Sequence, residues 1–197
     1  MPTALATAEP AAARRFFNGA DRCWHVQVTQ GETYVTADGN EVLTTVLGSC
    51  IAACIRDPRA GVGGMNHFLL GEGRGHDQGA LRYGVNAMEL LINGLLARGA
   101  ARERLEAKLF GGAAVIAGLS DVGAGNADFA RRYLEAEGIA LAGGDTGGTR
   151  PRRIQYWPLT GRARQLSIPA LDAGRLIARE QQAAHTETDE SHDVELF

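Results

Sequence analysis

A chain of 197 residues that is 45% hydrophobic can bury one good core, so one domain is the expectation. The formal net charge of −3 is uneven, because six acidic residues stand against two arginines from Arg175 onward and leave the rest near neutral; neither part has the basic balance of a nucleic-acid binder. No run of eighteen apolar residues offers a membrane-spanning helix, and three cysteines are too few and too odd in number for a disulfide framework.

Residues 1–22 read as an Ala-rich, flexible leader with no basic region running into a Leu-rich segment, so no signal peptide is expected. From Trp24 the hydrophobic period is two, with Val26 and Val28 alternating with polar residues, and Tyr34-Val35-Thr36 follows Gly31. Val42 to Leu47 is strand-like, and Gly48-Ser49 breaks it. The continuous apolar run Ile51 to Ile55, ended by Asp57-Pro58, predicts a buried strand. Val62 to Leu70 is its hairpin partner.

A glycine-rich loop over 71–79 precedes the best helical pattern, Tyr83 to Arg98, closed by Gly99. Leu105 to Phe110 predicts a strand, about Asn126 to Glu137 a second helix, and Ile139 to Ala142 another strand before a flexible turn over 143–149. Arg152 to Trp157 and Ala163 to Ile168 predict a hairpin. The order of elements predicts an α/β or α+β layered domain over 23–172, followed by an acidic tail, 173–197, that is partly disordered.

Chemistry concentrates between Thr44 and His67. Cys50 follows a Gly48-Ser49 bend that would expose its sulfur and nearby backbone N–H groups suited to an oxyanion. A hairpin brings the start of one strand (Cys50) towards the far half of the next (His67), and imidazolium beside the thiol would raise its thiolate fraction. Thr44 or Thr45 could orient the ring, with Asn66 and Asp77 as weaker choices and loop residue His76 as a rival base. Cys23 and Cys54 read as structural, and His185 and His192 as solvated. No Cys-x-x-Cys or His-x-x-x-His spacing suggests a metal, and no phosphate-loop lysine follows the glycine clusters. Arg150, Arg152, Arg153, Arg162 and Arg164 read as a solvated basic strand face or a docking patch for an acidic partner.

Leu47-Gly48-Ser49-Cys50, Asp57-Pro58, Gly64-Met65-Asn66-His67-Phe68, Tyr83-Gly84, Ala107 to Ala113, Gly123 to Asn126 and Asp145-Thr146-Gly147-Gly148 with Arg150 together resemble the chemoreceptor glutamine deamidases of the CheD family. Ala114-Val115 stands where many members carry methionine. The resemblance implies stacked mixed and antiparallel sheets with helices outside, and hydrolysis of glutamine to glutamate on methyl-accepting chemotaxis receptors in the cytoplasm. It implies a Cys–His–Thr site like that of bacterial deamidating toxins: Cys50 as nucleophile, His67 as base, Thr44 as the third member, Gly48 and Ser49 shaping the oxyanion site. No metal or organic cofactor is implied. A CheC-type CheY-P phosphatase is an implied further partner. The rival readings are a cysteine protease or transamidase, a non-catalytic receptor-binding regulator, and a metal-dependent hydrolase.

Overall fold

The computed structural model describes residues 14–70, 78–115 and 120–169. They form two five-stranded mixed sheets. The first contains β1 (Arg14–Asn18), β2 (Cys23–Gln27), β4 (Glu41–Leu47), β9 (Arg152–Trp157) and β10 (Arg162–Ser167), adjacent in that order. In the second the order is β3 (Thr33–Thr36), β6 (Val62–Phe68), β5 (Ile51–Asp57), β7 (Glu106–Gly111) and β8 (Ala140–Thr146). Two helices, α1 (Gln78–Leu96) and α2 (Ser120–Ala136), pack on the second sheet. The expected layered α+β architecture is therefore the one observed, with both helices on the same side.

This layering explains why some strands alternate and others do not. The second sheet is covered by helices on one face and by the first sheet on the other, so β6 is buried throughout and β5 nearly so. In β4, Leu43, Thr45 and Leu47 are buried while Thr44 and Val46 are half-buried, the period of a strand with one face inward. Two apolar cores result. One lies between the helices and the second sheet, where Met88, Leu91, Ile92 and Leu95 of α1 meet Ile51, Ile55 and Phe68. The other lies between the sheets and contains Val26, Leu43, Leu47, Cys50, Met65 and Tyr156. Each fully buried aliphatic side chain contributes about 1.5–3 kcal/mol through removal from water.

Three local expectations change. Residues 14–18, read as leader, form β1 and pair antiparallel with β2. Residues 143–146, read as a flexible turn, extend β8, which pairs parallel with β7 across a register shift. Arg152 is buried rather than part of a basic face, bonded to Asp145 and to the Gly147 carbonyl, whereas Arg150, Arg153, Arg162 and Arg164 are exposed. The helices begin earlier than their periodicity indicated, and the 71–77 loop with His76 and Asp77 lies outside the described residues, as do 1–13 and the tail from 170.

Asp57 closes β5. It is fully buried and accepts hydrogen bonds from the backbone N–H groups of Arg59, Ala60 and Ala101 and from the Arg104 guanidinium. Burial alone would raise its carboxyl, but Arg104 and these N–H groups hold it well below the usual carboxylate range. Among the described residues, no helix is long and apolar enough to cross a membrane.

Candidate active site

The site sits between the two sheets. In the β5–β6 register Ala52 lies opposite His67 and Ile51 opposite Phe68. Directly opposed residues share a face, and so do residues two apart on one strand, so Cys50, Ala52 and His67 all face the first sheet. Cys50 and His67 are diagonal neighbours there, a relation that places Cα atoms about 7–8 Å apart. Both are buried, Cys50 at 0% exposure and His67 at 6%.

The histidine ring is anchored from the opposite sheet. Nδ1 of His67 is 2.9 Å from the Thr45 hydroxyl oxygen and 3.5 Å from the Val28 carbonyl oxygen. A carbonyl can only accept, so this environment favours Nδ1–H as donor and leaves the lone pair on Nε2. Nε2 is buried and has no hydrogen-bond partner among the described residues. Burial pushes the imidazole down to about pKa 4, opposed by the Val28 carbonyl, so the ring is neutral at pH 7. Burial thus favours a neutral imidazole, able to accept a proton, over the imidazolium form.

Of the two threonines, the geometry brings Thr45 to His67 and not Thr44. Successive strand residues face opposite ways, and in β4 it is Thr45 that points between the sheets. The Thr44 hydroxyl instead donates to the Val26 carbonyl at 3.4 Å. Thr44 pairs with Gln155 and Gln27 on either side and lines a cleft of about 370 Å³ on the outer face of the first sheet, with Phe16, His25 and Arg153. Asn66 serves the helix side: its Oδ1 accepts from Ala53 N–H and its Nδ2 donates to the Ala87 carbonyl.

The bend carrying Gly48, Ser49 and Cys50 is held from three directions. Gly112 N–H donates to the Cys50 carbonyl and Ala113 N–H to the Gly48 carbonyl, both at 2.8 Å. Gly111, at φ +108°, makes this approach possible, since a Cβ there would land on the Cys50 carbonyl oxygen. Asn126 of α2, 1% exposed, donates through Nδ2 to the Ser49 carbonyl at 2.9 Å and accepts Leu70 N–H through Oδ1 at 3.0 Å. Gly147 N–H in turn donates to the Gly111 carbonyl, and Arg152 holds the 145–147 segment. The glycine motifs far along the chain are thus scaffolding for the cysteine.

Sequence reasoning named Thr44 and Thr45 as candidates for the ring's partner and carried Thr44 into the site, whereas the bond is made by Thr45; it gave Asn126 no role and overlooked Gln30. The Cys50 thiol donates to Gln30 Oε1 at 3.6 Å. Cys23 and Cys54 stand apart: Cys54 is wholly buried, which pushes its thiol well above the usual range. No three His, Cys, Asp or Glu side chains converge as a metal site among the described residues.

A thiol and a neutral imidazole, enclosed between sheets with the ring tethered by a hydroxyl, have the components of thiol-based acyl chemistry. Comparison with known proteins narrows the class. A family model, CheD chemotactic sensory transduction, matches residues 70–166. A protein named probable chemoreceptor glutamine deamidase CheD from Caulobacter vibrioides is 57% identical over 180 residues, covering 90% of this chain and 95% of its own. Those of the same name from Caulobacter sp. strain K31 and Rhizobium etli are 55% and 51% identical, each covering 87% of this chain and 92% and 95% of their own. This chain belongs to the CheD family. Among solved structures, a Neisseria meningitidis protein with family model DUF152 aligns at TM-score 0.39 and 16% identity over 59% of this chain and 53% of its own, a likeness too slight to argue from.

Proposed function

We propose that this chain is a cysteine-dependent deamidase that converts glutamine side chains of chemoreceptors to glutamate and releases ammonia. The observation that carries the reading is Nε2 of His67, buried and without a hydrogen-bond partner among the described residues, on the face that Cys50 shares. A buried polar atom left unpaired in a well-bonded interior is costly, and a proton-transfer role accounts for it. The relatives, named as probable chemoreceptor glutamine deamidases, supply the substrate class.

In this mechanism His67 Nε2 accepts the thiol proton as Cys50 Sγ bonds to the amide carbon of the substrate glutamine. The carbonyl electron pair moves to oxygen, and N–H groups near Ser49 and Cys50 stabilise the charge. The carbon–nitrogen bond then breaks as the proton on Nε2 passes to nitrogen, and ammonia leaves. Water attacks the thioester and gives a proton to Nε2, the carbon–sulfur bond breaks, the sulfur takes that proton, and a carboxyl group remains on the receptor. Burial disfavours charge on the ring, so the negative charge that passes from sulfur to the oxyanion as the proton arrives offsets part of that cost. No step needs a metal or organic cofactor.

The reaction belongs in the cytoplasm, on the cytoplasmic helices of the receptors, and a CheC-type phosphatase competing for the same enzyme surface is the second partner of this reading. Purified protein is to be incubated with cytoplasmic fragments of the source organism's chemoreceptors. Ammonia release that stops when Cys50 is alkylated supports the reading. Release that continues undiminished removes the thiol from it.

A further inference from the structure

The site contains a side chain that the mechanism above does not use. Residues Thr29 to Glu32, between β2 and β3, form a tight turn: Glu32 N–H donates to the Thr29 carbonyl at 3.0 Å, and Gly31 has φ +81°. Glycine with positive φ at the third position is the mark of a type II turn, and Gln30 occupies the second position. The turn is fixed to the base itself. Gly31 N–H donates to the His67 carbonyl at 2.8 Å, His67 N–H donates to the Glu32 carbonyl at 3.0 Å, and the Glu32 carboxylate accepts Thr29 N–H at 2.7 Å. One backbone frame thus holds both the imidazole and Gln30, and the Gln30 carboxamide lies against the nucleophile, its Oε1 3.6 Å from Cys50 Sγ.

A carboxamide can accept through oxygen or, turned over about its last bond, donate through nitrogen. In the resting state its oxygen takes the S–H bond. When the thiol proton leaves and the sulfur bonds to a substrate carbon, that acceptor loses its donor. The new oxyanion stands on the carbon attached to the same sulfur, within reach of a group already in contact with it. Side-chain amides are among the donors that stabilise such oxyanions. We propose that Gln30 is a further catalytic residue, which holds the Cys50 thiol in the free enzyme and donates its amide N–H to the oxyanion during attack. This rests on the deamidase reading given above. Because two backbone bonds tie Gly31 and Glu32 of the turn to His67, only the side chain has to move.

The test compares wild type, Gln30→Met and Gln30→Glu with Cys50→Ala as the blank. Ammonia release from a receptor cytoplasmic fragment gives kcat and KM, and iodoacetamide alkylation of Cys50 across pH reports the thiolate. Gln30 is half-buried at a turn, and methionine matches its length without its polar atoms, so folding should survive. Removing one oxyanion donor lowers kcat by about 100-fold or more. Gln30→Met is expected to show that loss with KM within about threefold of wild type, an allowance for binding left intact. Gln30→Glu keeps an acceptor but sets a carboxylate beside the sulfur, and should also shift the alkylation profile to higher pH. A Gln30→Met enzyme as fast as wild type, or faster, overturns the proposal and leaves Gln30 as a cover over the thiol. Wild type releasing no more ammonia than Cys50→Ala overturns the deamidase reading and this proposal with it.

Discussion

The hydroxyl of Thr45 on β4 lies 2.9 Å from Nδ1 of His67 on β6, a hydrogen bond that joins the two sheets at the site. It fixes the ring from the sheet that does not carry it, so the orientation of Nε2 depends on how the sheets pack. Thr45→Val should therefore lower kcat by about 10- to 100-fold, the cost of a small misplacement of a reacting group. The stability loss should stay near 1 kcal/mol, typical of one hydrogen bond. Thr44→Val should leave kcat within about twofold, because its hydroxyl donates to the Val26 carbonyl, away from His67. Steady-state ammonia release on both variants decides between the neighbours.

The same two residues show what could be read in advance. Most of the strands and both helices were legible because hydrophobic period and turn residues mark them, and the β5–β6 hairpin that sets Cys50 and His67 on one face follows from them; β1, within what reads as a leader, was not. Which threonine faces His67 was not, since Thr44 and Thr45 are chemically alike and only the packing of β4 chooses a face. Gln30 was hidden for a related reason. Its turn was visible at Gly31, but the meeting with Cys50 joins a loop of one strand pair to a bend of another. The extension of β8 through Gly143 and Gly144 defied propensity, because pairing with β7 holds residues that would otherwise turn.

Neutral His67 can be checked directly. Nitrogen-detected NMR of the imidazole should find the Nδ1–H tautomer at pH 7 and no protonation until the pH approaches about 4, where burial has pushed the group. A ring that charges near pH 6.5, the value of an unburied histidine, contradicts the account.

The depressed group also shapes stability. Between pH 6.5 and about 4 the unfolded chain carries a proton on this histidine and the folded chain does not, so acid favours unfolding in that window. The loss amounts to about 3 kcal/mol at most, at 1.36 kcal/mol per pKa unit, and is complete below pH 4. Urea titrations of wild type should weaken over this range, and His67→Gln should flatten the dependence. An equal slope in both proteins assigns the effect to other groups.

Asn126 ties α2 to the cysteine bend and to the end of the β6 segment. Replacing it with alanine removes the acceptor of Leu70 N–H and a donor to the Ser49 carbonyl in a buried place. The expected loss is about 1–3 kcal/mol per unsatisfied group, read as a lower urea midpoint, with reduced kcat in the protein that remains folded. Wild-type stability and activity together would show that the bend is held by its backbone bonds alone.

Gly111→Ala should be worse for its size. The added methyl meets the Cys50 carbonyl at a backbone angle that L residues avoid, so strain of about 1–3 kcal/mol and a displaced bend are expected. Thermal unfolding and Cys50 alkylation should both change, and a variant that matches wild type in both removes Gly111 from the support of the site.

Mass spectrometry of receptor glutamines tests the central claim most directly. Receptors are incubated with wild type or with Cys50→Ala, and glutamine-to-glutamate conversion is mapped residue by residue. Conversion at particular glutamines with wild type and none with Cys50→Ala is the predicted result. Equal conversion by both proteins would contradict it.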